Sequence, residues 1–165
     1  MYRKVAYLSV MIAFSMILSY IESLVPFYFG APGIKLGLAN FIIILMLYSR
    51  NIREALLINL VRIVLSGFLF GSMFSILYSL SGGLLSFVIM LLARKSGLFD
   101  LTGVSICGGI SHNIGQLLIA MYVVHTAGVL YYIPILLIGG LVTGLLIGVI
   151  ATQVLKRMPR NGELL

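Results

Sequence analysis

Six long apolar runs, divided by short polar breaks, decide what this chain can fold into. The hydrocarbon core of a bilayer is about 30 Å thick, so a spanning helix needs ~20 mostly apolar residues. The runs cover 5–23, 36–49, 55–70, 76–93, 103–125 and 132–155. The second is short for a crossing unless it begins slightly earlier or its helix sits off-centre. The stretch 68–75, with Gly67, Gly71, Ser72 and Ser75 in or beside it, reads as a turn. All six runs are too uniformly apolar for barrel strands, which alternate and run about ten residues. Helices also satisfy their own backbone groups, as hydrocarbon demands. The expected fold is an all-α membrane protein: one domain over 1–165, six transmembrane helices in a compact bundle.

Charge placement supports that count. Only 9% of residues are charged, where a soluble domain carries about 25%, so the chain cannot build a polar shell. Eleven Lys/Arg stand against four Asp/Glu. A basic balance can signal nucleic acid, but these residues sit in small groups between apolar runs, which speaks for topology instead. Cytoplasmic loops are enriched in Lys and Arg. With the N-terminus inside, Arg3, Lys4, Arg50, Arg53, Arg94, Lys95, Lys156, Arg157 and Arg160 fall on the cytoplasmic side, and only Lys35 falls outside. Arg62 lies within a span. Both termini are therefore expected in the cytoplasm, and the protein in a bacterial inner membrane. The start Met1-Tyr2-Arg3-Lys4 has the charge of a signal peptide, but no A-x-A-like cleavage pattern ends the first run. That run is read as a retained helix.

In lipid, small residues let helix backbones approach closely. Gly140, Gly144 and Gly148 form such a stripe in the sixth run, Ser105 and Gly109 another in the fifth. These suit packing within the bundle. Ser9 and Ala13 on the first run are the better candidates for docking another membrane protein.

Polar side chains at membrane depth are costly and tend to face an interior or a water-filled cavity. Ser111-His112-Asn113-Ile114-Gly115-Gln116 lies near the middle of the fifth run. His112, Asn113 and Gln116 share one side of a helix. They can bond neighbouring helices or contact a ligand, and three within five positions favours the ligand. Arg62 sits about 12 Å from the cytoplasmic end of its run at 1.5 Å per residue. It can snorkel to the interface, pair with a carbonyl or His112, or bind an anion; Asn59 lies on the same side. The segment leading from Gly30 to Asn40 is rich in Gly and Pro and contains Lys35, so it reads either as an anion site at a helix start or as an ordinary loop with one exposed Lys. Glu22, at the outer end of the first run, is either interfacial or a partner for Lys35.

Several chemistries are missing. There is no GxxxxGK[ST] phosphate loop. The four acids are scattered, whereas Mg²⁺-diphosphate chemistry uses clustered carboxylates. His112 and His125 lack ligand partners at metal spacing. Cys107 is alone, so no intrachain disulfide forms. No GxSxG elbow appears. No catalytic residue, metal or cofactor is therefore expected, and an independent enzyme is not.

Three stretches carry a family resemblance: Pro32-Gly33-Ile34-Lys35-Leu36-Gly37-Leu38-Ala39-Asn40, Leu60-Val61-Arg62 leading to Gly67, and Ser111-His112-Asn113-Ile114-Gly115-Gln116. Together they resemble the Gx transporter family, also known as heptaprenyl diphosphate synthase component I, over essentially the whole chain. That family is similar to the substrate-binding S-components of energy-coupling factor (ECF) transporters. The resemblance implies a six-helix micronutrient receptor with an outward pocket, dependent on a transmembrane coupling protein and two ATPase subunits. It implies docking through a first-helix motif that is typically Ala-x-x-x-Ala; here the nearest match is Ser9-x-x-x-Ala13.

The leading expectation is thus a substrate-capturing subunit of an ATP-driven importer, embedded in membrane lipid and binding no nucleic acid. Lys35, Asn40, Arg62, His112, Asn113 and Gln116 are the candidate ligand contacts, and their chemistry favours an anionic or polar small molecule. The alternative is a non-catalytic membrane component of polyprenyl diphosphate synthesis. A secondary transporter working alone would need a coupling-ion site, often an intramembrane acid, and no acid lies at mid-depth.

Overall fold

The computed structural model describes residues 2–24, 37–49, 52–125 and 127–157. Among these the chain is all-helical: α1 (Tyr2–Leu24), α2 (Leu38–Ser49), α3 (Ile52–Phe70), α4 (Met73–Ser96), α5 (Leu101–Val124) and α6 (Ile133–Arg157), with a 3₁₀ segment Ala127–Tyr132 before α6. Four stretches are long and apolar enough to cross a bilayer: Lys4–Leu24, Met73–Ser96, Leu101–Val123 and Leu130–Arg157. The other two helices fall short for visible reasons. α3 carries Arg53, Glu54 and Arg62, and α2 has 12 residues, or about 18 Å of rise. α2 compensates by burial. Ile42 to Leu47 are all buried, so this apolar rod is surrounded by protein rather than lipid.

The helix ends follow local chemistry. The turn expected over 68–75 is confined to Gly71 and Ser72. Ser72 is the N-cap of α4, its hydroxyl accepting from the Ser75 N–H, so the helix starts at Met73. Asp100 caps α5 in the same way through Gly103 N–H at 2.7 Å. Gly97 closes α4 with φ +68, a left-handed conformation that costs glycine little.

The outward faces are apolar. Val88 and Leu92 on α4, and Ile138, Leu145 and Ile150 on α6, are exposed. Water would penalise that arrangement and hydrocarbon does not.

α4, α5 and α6 form a tightly seamed wall. A Cβ on Gly140 would lie 2.7 Å from the Gly109 carbonyl oxygen, and one on Gly144 2.7 Å from Ile106 Cα. On the other side of α5, a Cβ on Gly115 would lie 2.8 Å from Gly82 Cα. Only hydrogen fits at these points, so the glycine stripe of α6 packs internally, as its spacing suggests. Ser86 and Ser81 of α4 add hydrogen bonds to the carbonyls of Gly108 and Gly115 at 2.9 and 2.7 Å. α1, α2 and α3 pack against one another beside this wall, with α3 reaching α4 and α2 reaching α6.

One end of the bundle gathers the basic groups. Lys4 of α1 pairs with Glu54 of α3 at 2.6 Å. Arg94 of α4 donates to the Leu47 carbonyl at the end of α2 and stacks 4.9 Å over the Tyr48 ring. Thr102 of α5 meets Thr152 of α6 at 3.4 Å, one turn before Lys156 and Arg157. The first turn of α1 therefore lies at the same end as the close of α6. Ser9 and Ala13 are both exposed on α1.

Candidate functional site

At the end opposite these cations the bundle holds a cleft of about 600 Å³, its open mouth included. The walls come from five helices. α1 supplies Ser19, Glu22 and Ser23. The start of α2 supplies Asn40, preceded by Gly37. α3 supplies Arg62, Ser66 and Phe70, α4 supplies Ser75 and Ser79, and α5 supplies His112. A smaller cavity of about 360 Å³, open solvent included, lies closer to the basic end, lined among others by Ile44, Ser86, Met90, Asn113 and Thr143. The two share Gly37, Asn40 and His112, which stand at their junction.

Gly37 sets the approach to α2. Its φ is +72, in the left-handed region. Its carbonyl accepts from Asn40 N–H at 2.8 Å, and its own N–H donates to Glu22 Oε1. The end of α1 and the start of α2 are thereby tied together at the cleft mouth. A Cβ at residue 37 would also press on Asn40 Nδ2 at 3.3 Å.

Arg62 turns inward, with only 7% of its surface exposed. Its Nη2 donates to Asn59 Oδ1 at 3.0 Å, and Asn59 Nδ2 donates to the Gly83 carbonyl of α4 at 3.1 Å. Asn59 thus acts as a bracket between the guanidinium and the neighbouring helix. Glu22 lies within electrostatic range of Arg62, which offsets some of the cost of a cation at this depth.

The structure divides the sequence-predicted contacts. Asn40, Arg62 and His112 line the outer cleft. Asn113 lines the inner cavity, but its Nδ2 donates to the Leu136 carbonyl of α6 at 2.8 Å, so it also joins α5 to α6. Gln116 is buried beside Gly82 and lines neither space. Lys35 lies outside the described residues, as does most of the loop that contains it. Glu22 bonds the Gly37 backbone.

The sequence reading missed the serines. Ser19 and Ser23, and Ser75 and Ser79, are each four apart, and Ser66 follows Arg62 by four. Each pair therefore shares a helix face. Hydroxyls are common in membrane helices as back-bonding groups. Ser23 and Ser66 do bond the Tyr20 and Ile63 carbonyls of their own helices, as Ser111 bonds that of Cys107 at 2.6 Å, so spacing alone did not mark these serines as cleft-lining.

The sequence model of the heptaprenyl diphosphate synthase component I family matches residues 11–154. No curated protein and no solved structure matches the chain.

Proposed function

The chain belongs to the heptaprenyl diphosphate synthase component I family, and from that premise and its cleft we propose that it is the substrate-binding membrane subunit of an ECF-type, ATP-driven importer. The observation that carries this reading is the position of the cleft. It is lined by polar groups of five helices and lies at the end away from the cations. If that basic end is cytoplasmic, as the positive-inside rule requires, all six helices cross the membrane, both termini are inside and the cleft faces out, where a captured solute arrives. Asn40, Arg62 and His112 contact the ligand. Lys35, outside the described residues, is proposed as a further contact, while Asn113 lines the inner cavity and Gln116 packs against α4.

Energy would come from elsewhere. With no phosphate loop in its sequence, this subunit would depend on a transmembrane coupling protein and two ATPases. Ser9 and Ala13 face outward from α1, where a coupling helix can approach the backbone. The decisive experiment is reconstitution. Uptake of a co-purified small molecule, identified by native mass spectrometry, should require the coupling protein and ATPases together. Uptake driven by an ion gradient in vesicles lacking them would refute the proposal.

A second reading has the family's own description behind it. The chain would be a membrane component beside a soluble polyprenyl diphosphate synthase, without catalysing the reaction itself. Its acids, Glu22, Glu54, Asp100 and Glu163, are dispersed along the sequence. Purified chain incubated with an allylic diphosphate, isopentenyl diphosphate and Mg²⁺ should give no turnover on either reading. Stimulation of the soluble synthase by this chain would favour the second.

A further inference from the structure

Two buried polar groups in the outer cleft have no partner among the described residues. Arg62 Nε lacks an acceptor, although Nη2 is held by Asn59 and the side chain is more than nine-tenths buried. The Ser19 hydroxyl, in the α1 wall of the same cleft, also has none. Native interiors leave few such groups unpaired. A guanidinium N–H is the costlier of the two, because charge strengthens each hydrogen bond it forgoes. Nor can Arg62 swing readily to the interface, since Asn59 ties it to the Gly83 carbonyl. Its Nε edge is therefore a positioned donor, suited to an oxyanion.

The cleft is not simply positive. Glu22 lines it too. Its Oε1 receives the Gly37 N–H, and its negative charge stands at the cleft wall. His112 is the third titratable group; Ser19, Ser75 and Ser79 add neutral donors and acceptors, while Ser23 and Ser66 donate to the Tyr20 and Ile63 carbonyls and add acceptors. A dianion would be opposed by Glu22, and a lone cation by Arg62. The complementary guest carries separated charges of both signs.

Resting on the receptor reading, we infer that the outer cleft takes a small zwitterion, whose carboxylate or phosphate oxygen accepts from Arg62 Nε and whose ammonium faces Glu22. A free amino-acid-like solute has this chemistry, and so does a phosphatidylethanolamine headgroup.

The test uses the full chain in phosphatidylglycerol nanodiscs, titrated with four matched probes: 4-aminobutyrate, butyrate, butylammonium and succinate. 4-Aminobutyrate should bind about tenfold more tightly than each of the others. Arg62→Gln and Glu22→Gln should each abolish the preference. Succinate or butylammonium binding as tightly as 4-aminobutyrate, or no binding by any probe, overturns the inference without reference to the variants. Adding phosphatidylethanolamine to the nanodiscs separates the sources: competition with 4-aminobutyrate identifies the headgroup, and its absence a free solute. The importer reading fails separately. Zwitterion binding with no ATP-dependent uptake would sink that reading alone, and ATP-dependent uptake of a dianion would sink only the charge pairing.

Discussion

Gly144→Ala and Gly83→Ala add the same methyl group at nearly the same distance from a neighbour, yet they should differ in cost. At Gly144 the new Cβ would lie 2.7 Å from Ile106 Cα, 2.8 Å from the Ser105 carbonyl oxygen and 3.2 Å from Ile106 N. All three are backbone atoms of α5. Ordinary contact begins near 3.4 Å, so α5 and α6 must part by about 0.7 Å at that point. Overpacking of this kind costs ~1–3 kcal/mol, and backbone obstruction places it in the upper half of that range. Alanine's better helix propensity returns ~1 kcal/mol, leaving a net loss of ~1–2 kcal/mol. At Gly83 the Cβ would lie 2.6 Å from Ile63 Cδ1, the end of a flexible side chain, with Asn59 atoms at 3.4 and 3.6 Å. Ile63 can rotate, so strain and propensity should cancel to within ~0.5 kcal/mol. Unfolding by SDS in mixed micelles, with helicity followed by circular dichroism, measures both variants against the native chain. Equal losses, or a Gly144→Ala protein as stable as the native one, would refute the claim that rigid backbone contact holds this seam.

Further outcomes follow from other contacts. Asn113→Ala removes the bond to the Leu136 carbonyl and should cost ~0.6 kcal/mol in the same assay, the average for interhelical bonds in membranes; unchanged stability together with lost ligand retention would make Asn113 a ligand contact instead. Gly37→Ala forces a left-handed φ on a residue with a Cβ and should cost ~1–2 kcal/mol, with Gly37→Asn milder because asparagine tolerates that region; thermal shift ranks the pair, and the reverse order would contradict the backbone assignment. Arg94→Ala should lower stability by ~1–2 kcal/mol through loss of the α2 carbonyl bond and the Tyr48 stacking, and Arg94→Lys should recover only part of it. For orientation, Leu98→Cys in a Cys107→Ser background puts a thiol on the exposed α4–α5 connection. A membrane-impermeant maleimide should label it in inverted vesicles and not in intact cells; the opposite pattern would reverse the topology.

The helices were legible because their signal is summed over many residues. Each run is apolar over most of its length, so no single side chain decides it, and boundaries moved by only a few positions. The 68–75 turn was drawn too wide because glycine and serine serve equally at caps and in helix seams. Here Ser72 caps α4 while Gly67 is buried against Ile76 inside α3. The candidate site was legible only in part. Arg62, Asn40 and His112 are conspicuous because such groups are rare at that depth, and they do converge. Asn113 and Gln116 drew notice for the same reason, but sequence cannot tell a side chain that bonds the next helix from one that faces a cavity. The cleft serines were invisible for the converse reason, since a hydroxyl at membrane depth usually bonds its own helix. The Glu22–Gly37 tie spans fifteen residues of sequence and uses a backbone N–H, which no side-chain pattern announces.

Contact between bare backbones along α5 limits how this protein can change. A wall that excludes even a methyl group at Gly144 and Gly115 has no spare volume in which substitutions could accumulate and reshape the chamber. Room for a changed side chain lies instead on the opposite bank, at Ser19 and Ser23 of α1 and at Ser66 and Phe70 of α3. There a larger or smaller side chain displaces only solvent or guest, and the scaffold behind it stays as it was.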